Sequence, residues 1–139
     1  MRVSIVHMVY DFEVGDVIRA EPDALYQAWL DSAQHSAMTG APAEISPVVG
    51  GEYSAWAGYI TGRTIRLEPT RRIVQTWRAE EFDPDEQDSV IDVVFEPEDF
   101  GTRVTIRHTN VPTRLRGFEE GGWQENYFDP MKSYFEAGM

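Results

Sequence analysis

The chain has 139 residues and a formal net charge of −12, because 24 Asp and Glu residues outnumber 12 Lys and Arg. This length is typical of one domain, so we expect a single domain over residues 1–139. The acidic excess repels phosphate backbones and anionic lipids, so we expect neither nucleic acid nor a membrane as partner, and the absence of Cys excludes disulfides and thiolate metal sites.

The amino-terminal segment predicts a strand. Residues 3–18 are rich in Val, Ile, Tyr and Phe without helical spacing, which indicates a strand buried on much of both faces. Ser4, His7 and Asp11 interrupt the apolar run before it reaches the length of a signal peptide, and no run reaches a membrane span. We therefore expect a cytoplasmic protein.

Two short helices are predicted next. Pro22 suits the first turn of a helix, and Leu25 and Trp29 are four residues apart and fall on one helical face. Asp31 stands three residues before Gln34, which is typical of an N-cap that opens a second helix. Gly40 would end that helix.

An antiparallel meander follows from Gly51 onward. Turn-forming residues separate five β-type runs, which lie at 51–57, 58–67, 71–80, 89–96 and 102–110. One connection, 81–88, belongs to a stretch with six carboxylates in nine residues, which we interpret as a solvated loop. A calcium site or a contact for a basic partner is the alternative for this loop, although the spacing lacks the Gly and bidentate Glu of known calcium loops.

The C-terminal segment predicts a long helix. Six large apolar side chains share one helical stripe: Trp123, Tyr127, Phe128, Met131, Tyr134 and Phe135. Three glycines, at 117, 121 and 122, weaken helix formation, so the regular part should begin near Gly122. The predicted fold is therefore α+β: a curved antiparallel sheet wrapped around a long C-terminal helix, with two short helices after the first strand. Such wrapping tends to leave a cavity between the helix and the sheet.

Short motifs occur in a fixed order along residues 20–136. They are 35–40 (HSAMTG), 49–53 (VGGEY), 58–62 (GYITG), 67–69 (LEP), 73–78 (IVQTWR), 101–102 (GT), 108–112 (HTNVP), 121–123 (GGW), 127–128 (YF) and 130–132 (PMK). In order and spacing this set resembles the homologues of the activator of the heat-shock-protein-90 ATPase, within the START-like (SRPBCC) superfamily. The resemblance implies a helix-grip fold, which agrees with the order of elements read from periodicity.

The resemblance also implies a range of functions. Superfamily relatives use the cavity between sheet and helix for lipids, hormones and polyketides, and some are aromatase or cyclase enzymes. The eukaryotic co-chaperones of the family carry a second, amino-terminal domain that also contacts the chaperone, and we expect no such domain within these 139 residues. Chaperone activation by two domains therefore cannot simply be transferred to this chain.

Candidate site residues come mainly from the aromatic side chains and one histidine. Val104, Ile106 and His108 share one strand face, so His108 is expected at the cavity rim as a polar contact. We predict that the ligand-binding residues are His108, Tyr59, Trp77, Trp123, Tyr127 and Met131, with His108, Tyr59 and Tyr127 orienting the ligand. Trp56, Tyr53, Phe128 and Tyr134 are further aromatics that could line the cavity or close the core. The cavity should be modest, open near the helices at 22–38, and suited to a planar apolar molecule.

The leading hypothesis is therefore non-enzymatic binding of an apolar or aromatic small molecule between the C-terminal helix and the sheet. One alternative is an interaction module for a chaperone or another protein, and the other is an aromatase or cyclase type of enzyme. No nucleophile elbow and no His or carboxylate pair with metal-ligand spacing occurs, so we assign no catalytic residue, metal or cofactor.

Overall fold

The computed structural model describes residues 8–137, so the part of the predicted first strand before Met8, with His7, lies outside the described residues. The elements run in this order: β1 Val9–Ile18, α1 Pro22–Leu30, α2 Ser32–Thr39, β2 Glu44–Ile45, β3 Glu52–Ala55, β4 Ile60–Glu68, β5 Arg72–Ala79, β6 Ser89–Glu98, β7 Gly101–Pro112 and, after irregular helical turns, α3 Asp129–Ala137. Within residues 8–137 the strands form one antiparallel sheet in the order β1-β7-β6-β5-β4-β3-β2. None of the helices in this range is long and apolar enough to cross a membrane.

The two short helices are confirmed with their predicted ends. Pro22 occupies the first turn of α1, and a carboxylate oxygen of Asp31 accepts a 2.8 Å hydrogen bond from the Gln34 backbone N–H at the start of α2. Gly40 ends α2 with a φ of 84°, a left-handed conformation that glycine adopts without a steric penalty. Leu25 and Trp29 are both buried, so the predicted apolar face of α1 points into the core.

The five predicted strands of the meander are confirmed, each within three residues of its predicted ends. The prediction missed β2, which pairs Glu44 and Ile45 with Ser54 and Tyr53 of β3. Two residues between Pro42 and Pro47 show no measurable period, so this strand exists only because β3 offers an edge to pair with.

The C-terminal segment is helical but not a regular α-helix throughout. Thr113–Leu115 form a 3₁₀ turn, and Phe118–Gly122 and Gln124–Phe128 form two π-helical turns before α3. In the second of these, which we call the π turn, the Asp129 N–H bonds the carbonyl five residues earlier, at Gln124. Glu120 and Gly121 have non-helical backbone angles, so the continuous helix begins after them, as the glycines predicted.

The predicted apolar stripe faces the sheet. Trp123, Tyr127, Phe128 and Met131 are buried, while Tyr134 and Phe135 are half-buried and pack against the same core. Because a π turn contains one residue more than an α turn, the neighbouring residues Tyr127 and Phe128 can both point inward. The core therefore lies between the inner face of the sheet and the C-terminal helix, with α1 packed on β6 and α2 on α3.

Candidate functional site

A cavity of about 390 Å³ lies between the β3–β4 turn, β5 and the start of the C-terminal helix. Its walls are mainly aromatic, and the residues that line it are Trp56, Tyr59, Ile60, Trp77, Phe118, Gly122, Trp123, Asn126 and Tyr127. This volume falls within the range of about 300–1,000 Å³ that is usual for small-molecule sites. The geometry is that of a partly open cleft with mainly aromatic walls.

Four of the six predicted site residues line this cavity, namely Tyr59, Trp77, Trp123 and Tyr127. The other two, His108 and Met131, do not, because both are completely buried. His108 does share the inner face of β7 with Val104 and Ile106, but it lies behind the cavity wall. Its ring centroid is 4.7 Å from that of Trp77 and 5.7 Å from that of Trp123. The expectation that His108 stands at the rim was therefore wrong.

The opening was also predicted at the wrong end, since no residue of 22–38 lines the cavity. At that end the side chains close on one another. The Tyr127 ring centroid lies 5.1 Å from that of Trp29 and 5.6 Å from that of His35. The space left beside these three rings is about 10 Å³, at the lower limit for holding one water molecule.

The turn that borders the opening has an unusual backbone. Trp56, Ala57 and Gly58 have φ values of 56°, 56° and 89°, so three consecutive residues are left-handed. For residues other than Gly this conformation costs about 1–2 kcal/mol each. The Ala57 N–H is held by the Pro42 carbonyl at 3.0 Å, and the Trp56 ring meets the Tyr127 ring edge-on at 6.2 Å. Strain of this kind is concentrated at functional sites in proteins generally.

The tyrosine hydroxyls of the cavity are already engaged. Tyr59 Oη donates a 2.6 Å hydrogen bond to Glu81 Oε2, and burial together with Glu81 raises the pKa of Tyr59 well above 10. Tyr127 Oη lies 3.0 Å from His35 Nε2, and burial raises the pKa of Tyr127 as well. Both phenols are therefore neutral, and the exposed Asn126 contributes a side-chain amide to the lining of the cavity.

Phe118 and Asn126 were missed by the sequence analysis. Phe118 lies in a glycine-rich stretch without periodicity, and Asn126 lies on the polar side of the helical stripe, so neither carried a signal for a cavity. Trp56 was recognised only as one of several aromatics. Its position in a left-handed turn could not be read from the sequence, because neither Trp nor Ala is typical of that conformation.

The acidic segment near the cavity is more structured than a solvated loop. Glu86 is buried, accepts hydrogen bonds of 3.0 and 2.6 Å from the Arg114 guanidinium, and accepts another from the Asp83 N–H at 2.7 Å. The bond with Arg114 is the main cause that lowers the pKa of Glu86. Arg78, on the adjacent strand, donates hydrogen bonds to the carbonyls of Asp83 and Glu86. Arg78 and Arg114 therefore fix the conformation of this segment, which also includes Glu81, the partner of Tyr59.

A second and wider depression, of about 740 Å³, follows β3 and β4 on the outside of the cavity. Hydroxyl and charged side chains line most of it, and some of these pair with one another, as Arg63 does with Glu52 at 2.8 Å. Its lining is more polar than apolar, so we regard the aromatic cavity as the candidate site.

Comparison with known proteins gives a family and a fold. Residues 19–136 match the family described as "Activator of Hsp90 ATPase homolog 1-like protein". An uncharacterised protein of Schizosaccharomyces pombe is 29% identical over 137 residues, covering 99% of this chain and 40% of that protein. An activator of 90 kDa heat shock protein ATPase homolog of Dictyostelium discoideum is 27% identical over 124 residues, covering 88% of this chain and 32% of that protein. This chain thus spans well under half the length of these curated relatives.

Solved structures share the fold. The crystal structure of an HSP90 activator from Plasmodium falciparum superposes with a TM-score of 0.79 at 22% identity, covering 91% of this chain and 96% of that one. The helix-grip architecture predicted from the sequence is therefore confirmed.

Proposed function

The chain belongs to the activator of Hsp90 ATPase homolog 1-like family, and from that premise we propose that it binds a planar, apolar or aromatic small molecule in the cavity beside Trp56. The observation that carries this proposal is the cavity itself, about 390 Å³ with six aromatic residues among the nine that line it. Aromatic side chains that merely closed a core would fill such a space. Here they leave it open beside a strained turn.

The shape of the space supports a flat ligand over a long one. Tyr127, Trp29 and His35 close the inner end, so an acyl chain would have no path toward the two short helices. Trp56, Trp77 and Trp123 offer ring surfaces for stacking or edge-to-face contacts. Because the phenols are engaged, Asn126 is the group we assign to hydrogen-bond a polar substituent of the ligand at the opening.

The test is binding of N-phenyl-1-naphthylamine, a neutral fluorescent aromatic amine that the net charge of −12 does not repel. We expect saturable binding with quenching of Trp fluorescence, and at least 10-fold weaker binding by Trp56→Ala, which removes one wall. Phe100→Ala is the matched control, because Phe100 is 82% exposed on the β6–β7 turn, away from the cavity. Absence of binding by the unmodified protein, or equal loss in both variants, would contradict the proposal.

A second candidate function is a protein-interaction module for an Hsp90-type chaperone. Its support is the family and the similarity to the structure titled an HSP90 activator. Because this chain spans 40% or less of the curated relatives described above, the activity of those longer proteins does not transfer directly. Calorimetric titration of purified Hsp90 with this protein, together with the chaperone's ATPase rate, tests it. Saturable heat with a changed rate supports the module, and neither effect at micromolar concentration argues against it.

The aromatase or cyclase alternative gains no support from the cavity. Its nine lining residues include no carboxylate, imidazole or amine, the groups that general acid–base chemistry would use near neutral pH. The enzyme hypothesis and the cytoplasmic location both stay predictions.

A further inference from the structure

Two rings of the cavity wall, those of Trp123 and Tyr127, are each tied to a buried histidine that lies outside the cavity. The Trp123 indole N–H donates to His108 Nδ1 at 3.3 Å, and Tyr127 Oη lies 3.0 Å from His35 Nε2. The two wall rings lie on adjacent turns of the C-terminal helix, with centroids 5.1 Å apart. Their polar atoms therefore contact the two buried histidines, and the Tyr127 hydroxyl also has a hydrogen bond with the Trp56 side chain.

The partners of His108 determine its tautomer. Ser89 Oγ donates its proton to the Trp77 carbonyl at 2.6 Å, so that oxygen can only accept from His108 Nε2, 2.8 Å away. An indole N–H can only donate, so Nδ1 must be the unprotonated nitrogen. His108 is therefore neutral with its proton on Nε2.

The partners of His35 determine the opposite tautomer. His35 Nδ1 lies 2.8 Å from the Trp29 carbonyl oxygen, which can only accept, so Nδ1 carries the proton. His35 Nε2 is then the acceptor for the Tyr127 hydroxyl proton. The two histidines thus use different ring nitrogens for the same task, which is to accept a hydrogen bond from a cavity ring.

The surroundings of both imidazoles keep them neutral. Phe12, Trp77, Phe118 and Trp123 pack their rings near His108, and Trp29 and Tyr127 pack theirs near His35. These ring partners, which come from β1, α1, β5 and the C-terminal segment, are uncharged, and so are Ser89 of β6 and the Trp29 carbonyl. Burial lowers the pKa of His35 and lowers that of His108 to about 3. Each histidine therefore keeps an unprotonated ring nitrogen that can accept a hydrogen bond throughout the neutral pH range.

We infer that His35 and His108 are positioning residues of the cavity: in opposite tautomers, each accepts a hydrogen bond that fixes one aromatic ring of the wall in the orientation that leaves the space open. This inference rests on the proposed ligand-binding function. Without its acceptor, a buried indole N–H or phenol O–H would be left without a partner, and the ring would turn toward the open space, where water can satisfy it.

The first experiment is independent of any ligand. Long-range ¹H–¹⁵N NMR spectra of the His7→Gln protein at pH 7 separate the protonated and unprotonated nitrogens of the two remaining imidazoles. We expect the far-downfield, unprotonated resonance on Nδ1 for His108 and on Nε2 for His35. The same tautomer at both sites, or averaging between tautomers, would overturn the inference.

The second experiment uses matched variants of His108 and the probe N-phenyl-1-naphthylamine. His108→Gln retains one acceptor and one donor, whereas His108→Leu has a similar size but neither group. We expect binding within threefold of the unmodified protein for the Gln variant and at least 10-fold weaker binding for the Leu variant. Equal affinity of all three proteins would overturn the positioning role while leaving the proposed function intact.

A double-mutant cycle covers the case in which the Leu variant fails to fold. His108→Asn, whose amide is one methylene shorter than that of Gln, should weaken probe binding in the otherwise unmodified protein, but it should no longer alter probe affinity in the Trp123→Phe background, which lacks the indole N–H. If the unmodified protein binds no probe, the proposed function falls. The positioning inference is then decided by the tautomers and by the Trp123 indole N–H resonance, which must shift in His108→Gln or His108→Asn relative to the unmodified protein.

Discussion

The space between the sheet and the C-terminal helix has two ends that differ in packing, although one helical stripe serves both. The filled end contains Phe128 and Met131 together with branched side chains such as Ile73, Val93 and Ile106, and these five residues are 0% exposed. The cavity end contains Trp56, Trp77, Phe118, Trp123 and Tyr127 and leaves about 390 Å³ open.

The difference shows that hydrophobicity alone does not decide whether a space closes. At the filled end, branched aliphatic side chains and the Phe128 ring are fully buried, as is usual where side chains pack closely in protein interiors. At the cavity end, hydrogen bonds to His35 and His108 fix two of the rings, and a strained turn carries a third. Rings held in this way cannot collapse into the space beside them.

The largest effect is expected at the filled end. Phe128→Ala should lower the free energy of unfolding by about 3–5 kcal/mol, because it removes a fully buried ring where neighbours cannot collapse. Urea denaturation followed by far-UV circular dichroism measures this. Glu136→Ala, at an exposed position of α3, is the control. A loss below about 1 kcal/mol for Phe128→Ala would mean that this end is not tightly packed.

The second largest effect is expected from acid, which should lower the free energy of unfolding through the two buried histidines of the cavity end. An unfolded His takes up a proton near pH 6.5, whereas native His108 does so only near pH 3 and the native pKa of His35 is also lowered. The unfolded chain therefore binds more protons as the pH falls, and each histidine lowers the free energy of unfolding by up to about 1.4 kcal/mol per pH unit below pH 6.5. The free energy of unfolding is therefore not reduced by the histidines above pH 6.5, and it declines as the pH falls from 6.5 toward their native pKa values.

Denaturation curves at pH 7, 6 and 5 test this, because carboxylates with lowered native pKa values, such as Asp16 and Glu86, affect stability mainly below about pH 4.5. The free energy of unfolding of His108→Gln should depend less steeply on pH than that of the unmodified protein, because the variant lacks the contribution of one histidine. An unchanged slope in this variant would show that His108 has the same pKa in the native and unfolded states.

Adding atoms at the cavity end should have opposite effects on stability and on probe binding. A Cβ at Gly122 would meet only the Phe118 ring, at 3.9 Å, and Gly122 lines the cavity, so we expect the side chain of Gly122→Leu to occupy part of that space. We expect a gain in the free energy of unfolding of up to about 1 kcal/mol, because Leu favours a helix more than Gly. Binding of N-phenyl-1-naphthylamine should fall at least 10-fold. Unchanged probe binding in a folded Gly122→Leu protein would place the ligand elsewhere.

The smallest effect concerns the strained turn. Ala57→Gly should raise the free energy of unfolding by about 0.5–1 kcal/mol, because Gly adopts the left-handed φ of 56° without the penalty that Ala pays, less the greater freedom of Gly in the unfolded chain. Thermal denaturation by calorimetry measures this gain. Destabilisation by Ala57→Gly would mean that the turn is not under backbone strain.

Most of the fold could be predicted because its signals are local. Asp31 before Gln34, Gly40 after α2 and the stripe from Trp123 to Met131 each act over one or two helical turns. Strand β2 could not be predicted, since two residues acquire their conformation from pairing with β3.

The site could be predicted only in part. Tyr59, Trp77, Trp123 and Tyr127 were correctly placed on the cavity because alternation and helical spacing report which face a side chain occupies. His108 has the correct face but the wrong depth, since Phe118 and Trp123 cover it from a part of the chain that has no regular period. The depth of a side chain and the position of the cavity opening depend on contacts between segments that are distant in the sequence, and sequence periodicity does not report such contacts.

The π turn makes the cavity sensitive to the length of the chain, as well as to its side chains. Deletion of one residue between Trp123 and Phe128 would convert that turn to an α turn and rotate the preceding part of the helix by about 100° relative to α3. The Trp123 ring would leave the cavity wall, while Phe128 and Met131 would keep their places in the core. In an alignment of related sequences, the residue count between these two positions would therefore distinguish proteins that form this cavity from proteins that share only the fold.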